Sequence, residues 1–401
     1  MDSIRGANAL TARWARDVCR GETGALSGAG VWPLLALLAA AARGRGREEL
    51  AAAAGVGADG AERHAYELLA VLQGSTAADA ALGVWNRADL PLERWWLEVV
   101  PEAARGELAA APAEAQERLD AWVRRHTRDR LTRMPVQVRP DTLLVLATAL
   151  SVETRWRRPF DDMPLRPADG PWAGRPRELA GLSRYRGDAD ELAVARTPAG
   201  PITMATVEGE DDVDVILCLG EPECPPGEVI AGAVEASDGR HPLSPGRSLV
   251  EEGRERPAPG VQVVESVDFT PGVKLNLRTA RFEVNAQHDL MERAGLFGLG
   301  TVSTADPQGH FPRISGVPLM VSQGAQDITA TFSAEGFKAA AVTAFSVGVA
   351  GVPMERSYVV DVCFDRPFGF VARHRPTGLV LLAGWVAEPQ EWPEDVPVNA
   401  W

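Results

Sequence analysis

Residues 333–360 read SAEGFKAAAVTAFSVGVAGVPMERSYVV, and no other stretch restricts the fold so tightly. Between Glu335 and Glu355 the only charge is Lys338, and Gly348, Gly351 and Pro353 forbid a regular helix across the second half. Written with a period of two, one face carries Phe337, Ala339, Ala341, Thr343, Phe345, Val347 and Val349. The other carries Lys338, Ala340, Val342, Ala344, Ser346, Gly348 and Ala350. The first set is fit for a core and the second is small. Burying its two Phe and two Val would contribute at most about 6–12 kcal/mol, before the entropy of ordering the segment is subtracted. The stretch suits both an exposed loop and a buried strand.

The rest of the chain has the material for a large core: 401 residues, 45% hydrophobic and 24% charged. The net charge of −14 argues against nucleic acid and anionic membranes as partners, because phosphate binding needs a cationic surface. Cys19, Cys218, Cys224 and Cys363 form no C-x-x-C pair and read as reduced thiols, with a Cys218–Cys224 bridge as the lesser alternative. The first twenty residues lack the apolar core of a secretion signal, and no stretch reaches the roughly 20 apolar residues of a membrane span. A cytoplasmic location is the expectation.

Along the chain, helices come first. VWPLLALLAAAARGRGREELAAAAGVG gives one helix with Pro33 in its first turn and a second closed by Gly55. RLDAWVRRHTRDRLTRM is amphipathic, with Leu119, Trp122, Val123 and Leu131 on one side. TLLVLATALSV is a continuous apolar run and reads as a central strand covered on both faces. VDVILCLG and VKLNLRTARFEV read as strands, residues 221–259 as a long surface excursion, and SYVVDVCFDRPFGFVARHRPTGLVLLAGWVAEP as three closing strands. Phe368 and Phe370 alternate around Gly369 and are expected to be buried. Helices first and strands later, without β-α alternation, predict a single α+β domain over residues 1–401.

Small chemical motifs carry little. GVGADG, from Gly55 to Gly60, follows a helix rather than a strand, so it lacks phosphate-cradle geometry. AFSVG places Ser346 as in a nucleophile elbow without an identifiable histidine–acid context. His64, His126, His241, His288, His310 and His374 show no metal-ligand spacing. We identify no catalytic residue, no cofactor and no metal site from the sequence.

Read together, these segments resemble the serpin family over nearly the whole chain. AEGFKAAAVTA is similar to the hinge of the family's reactive loop, DRPFGFVARHRPTGLVLLAGWVAEP to its C-terminal signature, and LLVLATALSVETRWRRPF to its central strand. VWPLLALLAAAARGRGREELAAAAGV, WVRRHTRDRL and ARFEV resemble further family segments. The resemblance implies a serpin-like α+β fold of three β-sheets and about nine helices, with a reactive-centre loop over about 333–360. It further implies a bacterial-type member, a monomer whose partner is a serine protease. In inhibitory members the protease cleaves the loop, which inserts as a new strand into the main sheet and carries the acylated protease with it.

On that resemblance the hinge comprises Glu335, Gly336, Phe337, Ala339, Ala340, Ala341 and Thr343. Counted from the hinge, the scissile bond is Ala350–Gly351, suiting an elastase- or subtilisin-like protease; counted back from Pro367 it is Arg356–Ser357, suiting a trypsin-like one. Three features depart from the family pattern, one being the loop, which from Gly336 to Pro367 is about six residues longer than in short members of the family. Phe337 stands where a small Thr or Ser is usual, and the polar cluster beneath the central strands is expected to be replaced by Trp32, Leu35, Thr148 and Gln326. Trp156 is expected where the hinge meets the sheet, and Thr142–Val152 is expected to lie beside Asp327–Phe332. Three readings follow: a suicide-substrate protease inhibitor, a non-inhibitory binding or chaperone-like serpin, and a serpin scaffold recruited as an enzyme.

Overall fold

The computed structural model describes residues 2–268, 272–337 and 355–393. Among these residues there are seven α-helices: α1 (Asp2–Val18), α2 (Gly28–Ala41), α3 (Gly44–Ala54), α4 (Ala61–Gln73), α5 (Arg94–Val99), α6 (Pro112–His126) and α7 (Pro226–Ser237). The α+β class holds; the helix number is lower than the expected nine, with short 3-10 turns between strands making up part of the difference.

Helix α2 lies at the centre, and its sequence says why. Val31, Trp32, Leu35, Leu37 and its alanines are apolar on every side, which only a helix buried all round tolerates. Its start differs from the expectation. Ser27 accepts a hydrogen bond from Gly30 N at 3.0 Å and caps the helix, so Pro33 falls inside rather than in the opening turn. Gly55, at φ 69°, closes α3 as expected.

Two sheets are continuous. A seven-stranded sheet runs, in spatial order, Gly24–Leu26, Val380–Val386, Phe368–His374, Val213–Leu219, Gly200–Glu208, Leu192–Thr197 and Leu243–Pro245. Every residue of Val213–Leu219 and Val380–Val386 is buried; the second is apolar throughout, and the one charge in the first, Asp214, is paired with Arg375 at 2.7 Å. A five-stranded sheet runs Val261–Asp268, Glu355–Cys363, Val273–Ala280, Leu179–Asp188 and Asp161–Leu165. Residues 221–259 are not a surface excursion throughout: 251–256 are exposed, but an earlier part is buried. They contain α7, whose Val229, Ile230, Ala233 and Val234 are buried, and α7 packs along α1 with Arg16 bridging to Glu228 and Glu235 at 2.9 and 2.7 Å.

The third sheet is parted. One half orders Arg105–Leu108, Ala78–Arg87 and Leu144–Val152; the other pairs Phe282–Asp289 with Ala325–Phe332. Leu144–Val152 is covered on both faces as expected: Val145 and Ala147 pack with α6 residues Leu119 and Val123, and Leu144, Leu146 and Leu150 pack on the main core. It is not a central strand of the largest sheet, however. Among the described residues no ladder joins it to Ala325–Phe332, so the expected neighbours form facing edges.

An aromatic column ties the two-stranded half to the seven-stranded sheet. Phe332 stacks on Phe282 at 5.1 Å, Phe282 meets Phe370 at 4.9 Å and Phe368 at 5.8 Å, and Trp156 lies 4.9 Å from Phe332. Phe368 and Phe370 are fully buried, as the sequence predicts. Phe332→Ala would leave a cavity against three rings, and urea denaturation should register a loss of about 3–5 kcal/mol.

The candidate functional site is the slot in the parted sheet

Two facing strand edges surround a cavity of about 110 Å³ lined by Leu34, Met134, Leu146, Thr148, Gln326 and Ile328 among others. The N-terminus of α2 forms its floor, and both walls bond to it. From one wall, the Thr148 hydroxyl donates to Gly30 O. From the other, Gln326 accepts from Ser27 N at 2.9 Å and donates to Ser27 O at 3.0 Å. Ser27 in turn donates from its hydroxyl to Leu381 O at 2.6 Å. The walls therefore hold a common backbone segment instead of each other.

This arrangement corrects the expected set. Thr148 and Gln326 are in place, but Trp32 and Leu35 are core residues: Trp32 is fully buried and donates from its indole to Ala54 O at 2.7 Å. The polar partners are Ser27 and the Gly30 carbonyl. A cap signature, Ser immediately before an apolar run, was present in the sequence and marks Ser27. The cluster is polar, not eroded.

At one end the slot is closed by the hinge. The chain leaves Ala325–Phe332, turns at Ser333–Gly336 with Ser333 N donating to Gly336 O at 3.0 Å, and heads back down the slot. Gly336 and Phe337 pair antiparallel with Arg155 and Thr154. A Cβ at Gly336 would stand 2.5 Å from Thr154 O, so only glycine allows this approach. Trp156 anchors the mouth: it is buried, its indole donates to Ser333 O at 2.9 Å, and its amide donates to Glu335 O at 2.9 Å. At the far end Gln137 N donates to Gln323 Oε1 at 3.0 Å, and Gln323 Nε2 returns a bond to Gln137 O at 2.9 Å. No sequence signal marks that pair.

The remaining hinge residues Ala339, Ala340, Ala341 and Thr343, together with Lys338, Ser346 and the Ala350–Gly351 bond, lie outside the described residues, as does the Phe337 side chain. Arg356–Ser357 is described, and it is no presented bait. Both residues lie in strand Glu355–Cys363; Ser357 is buried with its hydroxyl donating to Gly272 O at 2.7 Å, and Arg356 pairs with Glu265 at 2.7 Å. A protease needs an extended segment free of its own ladder, and this one is taken.

Among the described residues no nucleophile stands out elsewhere. The cysteines are free thiols, and burial pushes Cys19 and Cys363 up to about 12, away from the reactive thiolate. The histidines hold ordinary partners; His288 bonds Ala25 O at 2.7 Å and His374 lies between Thr377 and Asp212. No helix among the described residues is long and apolar enough to cross a membrane.

A large α+β domain with two whole sheets, a parted third one and a hinge at its mouth defines the serpin architecture, and the comparisons agree. Over residues 7–169 and 265–389 the chain matches the family model described as serpin (serine protease inhibitor), and it belongs to the serpin family. Serpin-ZXA of Oryza sativa subsp. japonica is 27% identical over 375 residues, covering 88% of this chain and 87% of that protein. The leukocyte elastase inhibitor of Bos taurus is 24% identical over 294 residues, covering 72% and 70%. Among solved structures, native protease nexin-1 with heparin has a TM-score of 0.67 at 17% identity, covering 97% of this chain and 99% of that one. Human thyroxine-binding globulin has a TM-score of 0.69 at 14% identity, covering 97% and 100%. These two likenesses carry the fold alone.

Asp327 lines the slot half-buried, and burial raises its pKa above the ordinary value of 3.8. An acid whose folded pKa is raised binds its proton more tightly when folded, so it lowers stability as pH rises through that region. Asp327→Asn should therefore raise the melting temperature at pH 7, with the gain shrinking toward pH 3 in thermal melts.

Proposed function

We propose that this chain inhibits a serine protease as a suicide substrate, with cleavage followed by insertion of the loop into the slot. The observation that carries the proposal is the ladder at the mouth, where Gly336–Phe337 already runs antiparallel to Thr154–Arg155 between two unpaired walls. Continued in the same register, Ala339 would fall opposite Val152 and Val347 opposite Leu144. A strand there would satisfy two facing edges at once, which is a large gain in backbone pairing. The protease supplies the chemistry: its serine attacks the bait carbonyl, the new amine leaves, and the acylated protease stays attached to the inserting strand.

The non-inhibitory and enzymatic readings gain nothing from the geometry. The non-inhibitory reading drew on Phe337 and on the apparent loss of the polar cluster, and the enzymatic one on the erosion of the inhibitory parts; Phe337 remains, but Ser27, Gly30, Thr148 and Gln326 form a polar cluster. The preferred bait is Ala350–Gly351, since Arg356–Ser357 is engaged in a strand.

Incubation with elastase, subtilisin and trypsin tests this directly. A complex that survives denaturing gel electrophoresis is expected with an elastase- or subtilisin-type enzyme, and trypsin should leave Arg356–Ser357 uncut. A single cut within 349–354 should also raise the melting temperature sharply. Plain cleavage by every enzyme, with no thermal gain, would sink the proposal.

Phe337 sets the balance between trapping and simple cleavage. Its backbone is already paired with Thr154 at the mouth, so this first step of insertion precedes cleavage and spends part of the strain that would drive trapping. Phe337→Thr should increase the fraction of protease captured relative to cleaved inhibitor. An unchanged partition would remove Phe337 as the brake.

A further inference from the structure

Away from the slot, a second and larger cleft of about 360 Å³ opens where the C-terminal end of α1 meets strands Gly24–Leu26 and Phe282–Asp289. Its back is apolar. Trp14, Leu26 and Phe297 are buried there, and the Trp14 ring meets Phe297 edge-on at 4.9 Å. Its rim is charged, since the lining residues Glu22, Asp289 and Glu292 are exposed and so stand on the open side. Among the described residues Arg293 is the one arginine or lysine in the lining, and it is already engaged, 2.5 Å from Asp17 and 3.9 Å from Glu292.

Several of the remaining polar groups are acceptors with capacity to spare. His288 bonds Ala25 O through Nε2 at 2.7 Å. A carbonyl oxygen can only accept, so Nε2 carries the hydrogen and Nδ1 of the neutral ring is left as an acceptor. Asp289 takes Met291 N at 2.8 Å on one carboxylate oxygen, and neither it nor Glu22 joins an ion pair among the described residues. Helix α1 ends in the wall at Val18, and the carbonyl end of a helix adds negative potential. An apolar cleft of a few hundred Å³ with a few polar groups at its rim is the common form of a small-molecule site. Here the rim calls for positive charge.

We propose that this cleft binds a small organic cation with a planar apolar body, in chemical class an arylalkylamine. The ring lies against the Trp14–Phe297 back, and the ammonium sits among Glu22, Asp289 and His288 Nδ1. Gly24 leaves the space free: it lines the cleft, and a Cβ there would meet no atom within 4 Å, so a larger side chain has room to take the place of a ligand. The inference is independent of loop insertion.

Tryptamine, an indole carrying an ammonium, is the probe, and N-acetyltryptamine is its uncharged counterpart. Calorimetric titration of the full chain should give saturable one-to-one binding of tryptamine at millimolar concentration or below. N-acetyltryptamine should bind about tenfold more weakly, as expected when an ammonium shared by two partly exposed carboxylates is lost. Tryptamine should also raise the melting temperature of the wild type, because it binds the folded state alone. Gly24→Leu should abolish both effects. Glu22→Gln should weaken tryptamine binding about two- to fivefold, the range for one exposed ion pair. Glu22 has no side-chain hydrogen bond or ion pair among the described residues to lose, so this variant keeps the test decisive if Gly24→Leu fails to fold. Absence of saturable tryptamine binding, equal affinity for the uncharged counterpart, binding retained in folded Gly24→Leu, or affinity unchanged in Glu22→Gln would each overturn the site.

Discussion

Backbone edges need partners, and this fold keeps two of them apart. Strands Leu144–Val152 and Ala325–Phe332 face each other across a cavity without a ladder, each bonded instead to the N-terminus of α2. The start of the helix serves both walls at once: the Ser27 amide and carbonyl bond to Gln326, and the Gly30 carbonyl accepts from Thr148. The two bonds from Gln326 replace part of what a ladder would give, and Thr148 does the same from the opposite side. The rest of the molecule follows from that floor. Helix α2 must be buried all round to lie there, and the aromatic column around Phe282 and Phe332 must carry the two-stranded half on the seven-stranded sheet.

The same constraint explains the composition of the loop. On the proposed insertion, a segment that enters a slot with apolar walls needs a core-fit face, and one that starts outside the sheet needs few large groups on the other. The alternation from Phe337 to Ala350 meets both demands. Gly336 is where the two roles meet, since the hinge must pass a carbonyl of Thr154 more closely than any Cβ permits.

Much of this was legible in the sequence, and the failures have physical causes. The α+β class, the Gly55 stop, the double-covered strand and buried Phe368 and Phe370 all rest on local pattern, which a sequence displays. The neighbour relation between Leu144–Val152 and Ala325–Phe332 is a non-local property, and no periodicity tells whether two edges pair or stay parted. The cluster on the floor was misassigned because Trp32 and Leu35 were read by similarity of position, while the cap at Ser27 was a chemical signal in plain view. Helix α7 was hidden by its surroundings: proline and glycine on either side of GEVIAGAVEAS suggested an excursion, although Pro226 sits in the first turn, where proline fits a helix. Strand Val261–Asp268 alternates only weakly and carries exposed Val264 and Val267, so no clear periodicity marks it in the sequence.

The amide pair between Gln137 and Gln323 gives the slot the mechanics of a buttonhole. A slit open at one end spreads like scissors, with little resistance at its tip. A slit fastened at both ends widens only if its sides bow outward, and the bow is easiest at mid-length and stiffest near each fastening. Thr148, at mid-length, is a third fastening through its bond to Gly30 O. A strand entering past Trp156, as proposed, would have to part the walls against that bond first and would end its travel against the two amide bonds at 3.0 and 2.9 Å.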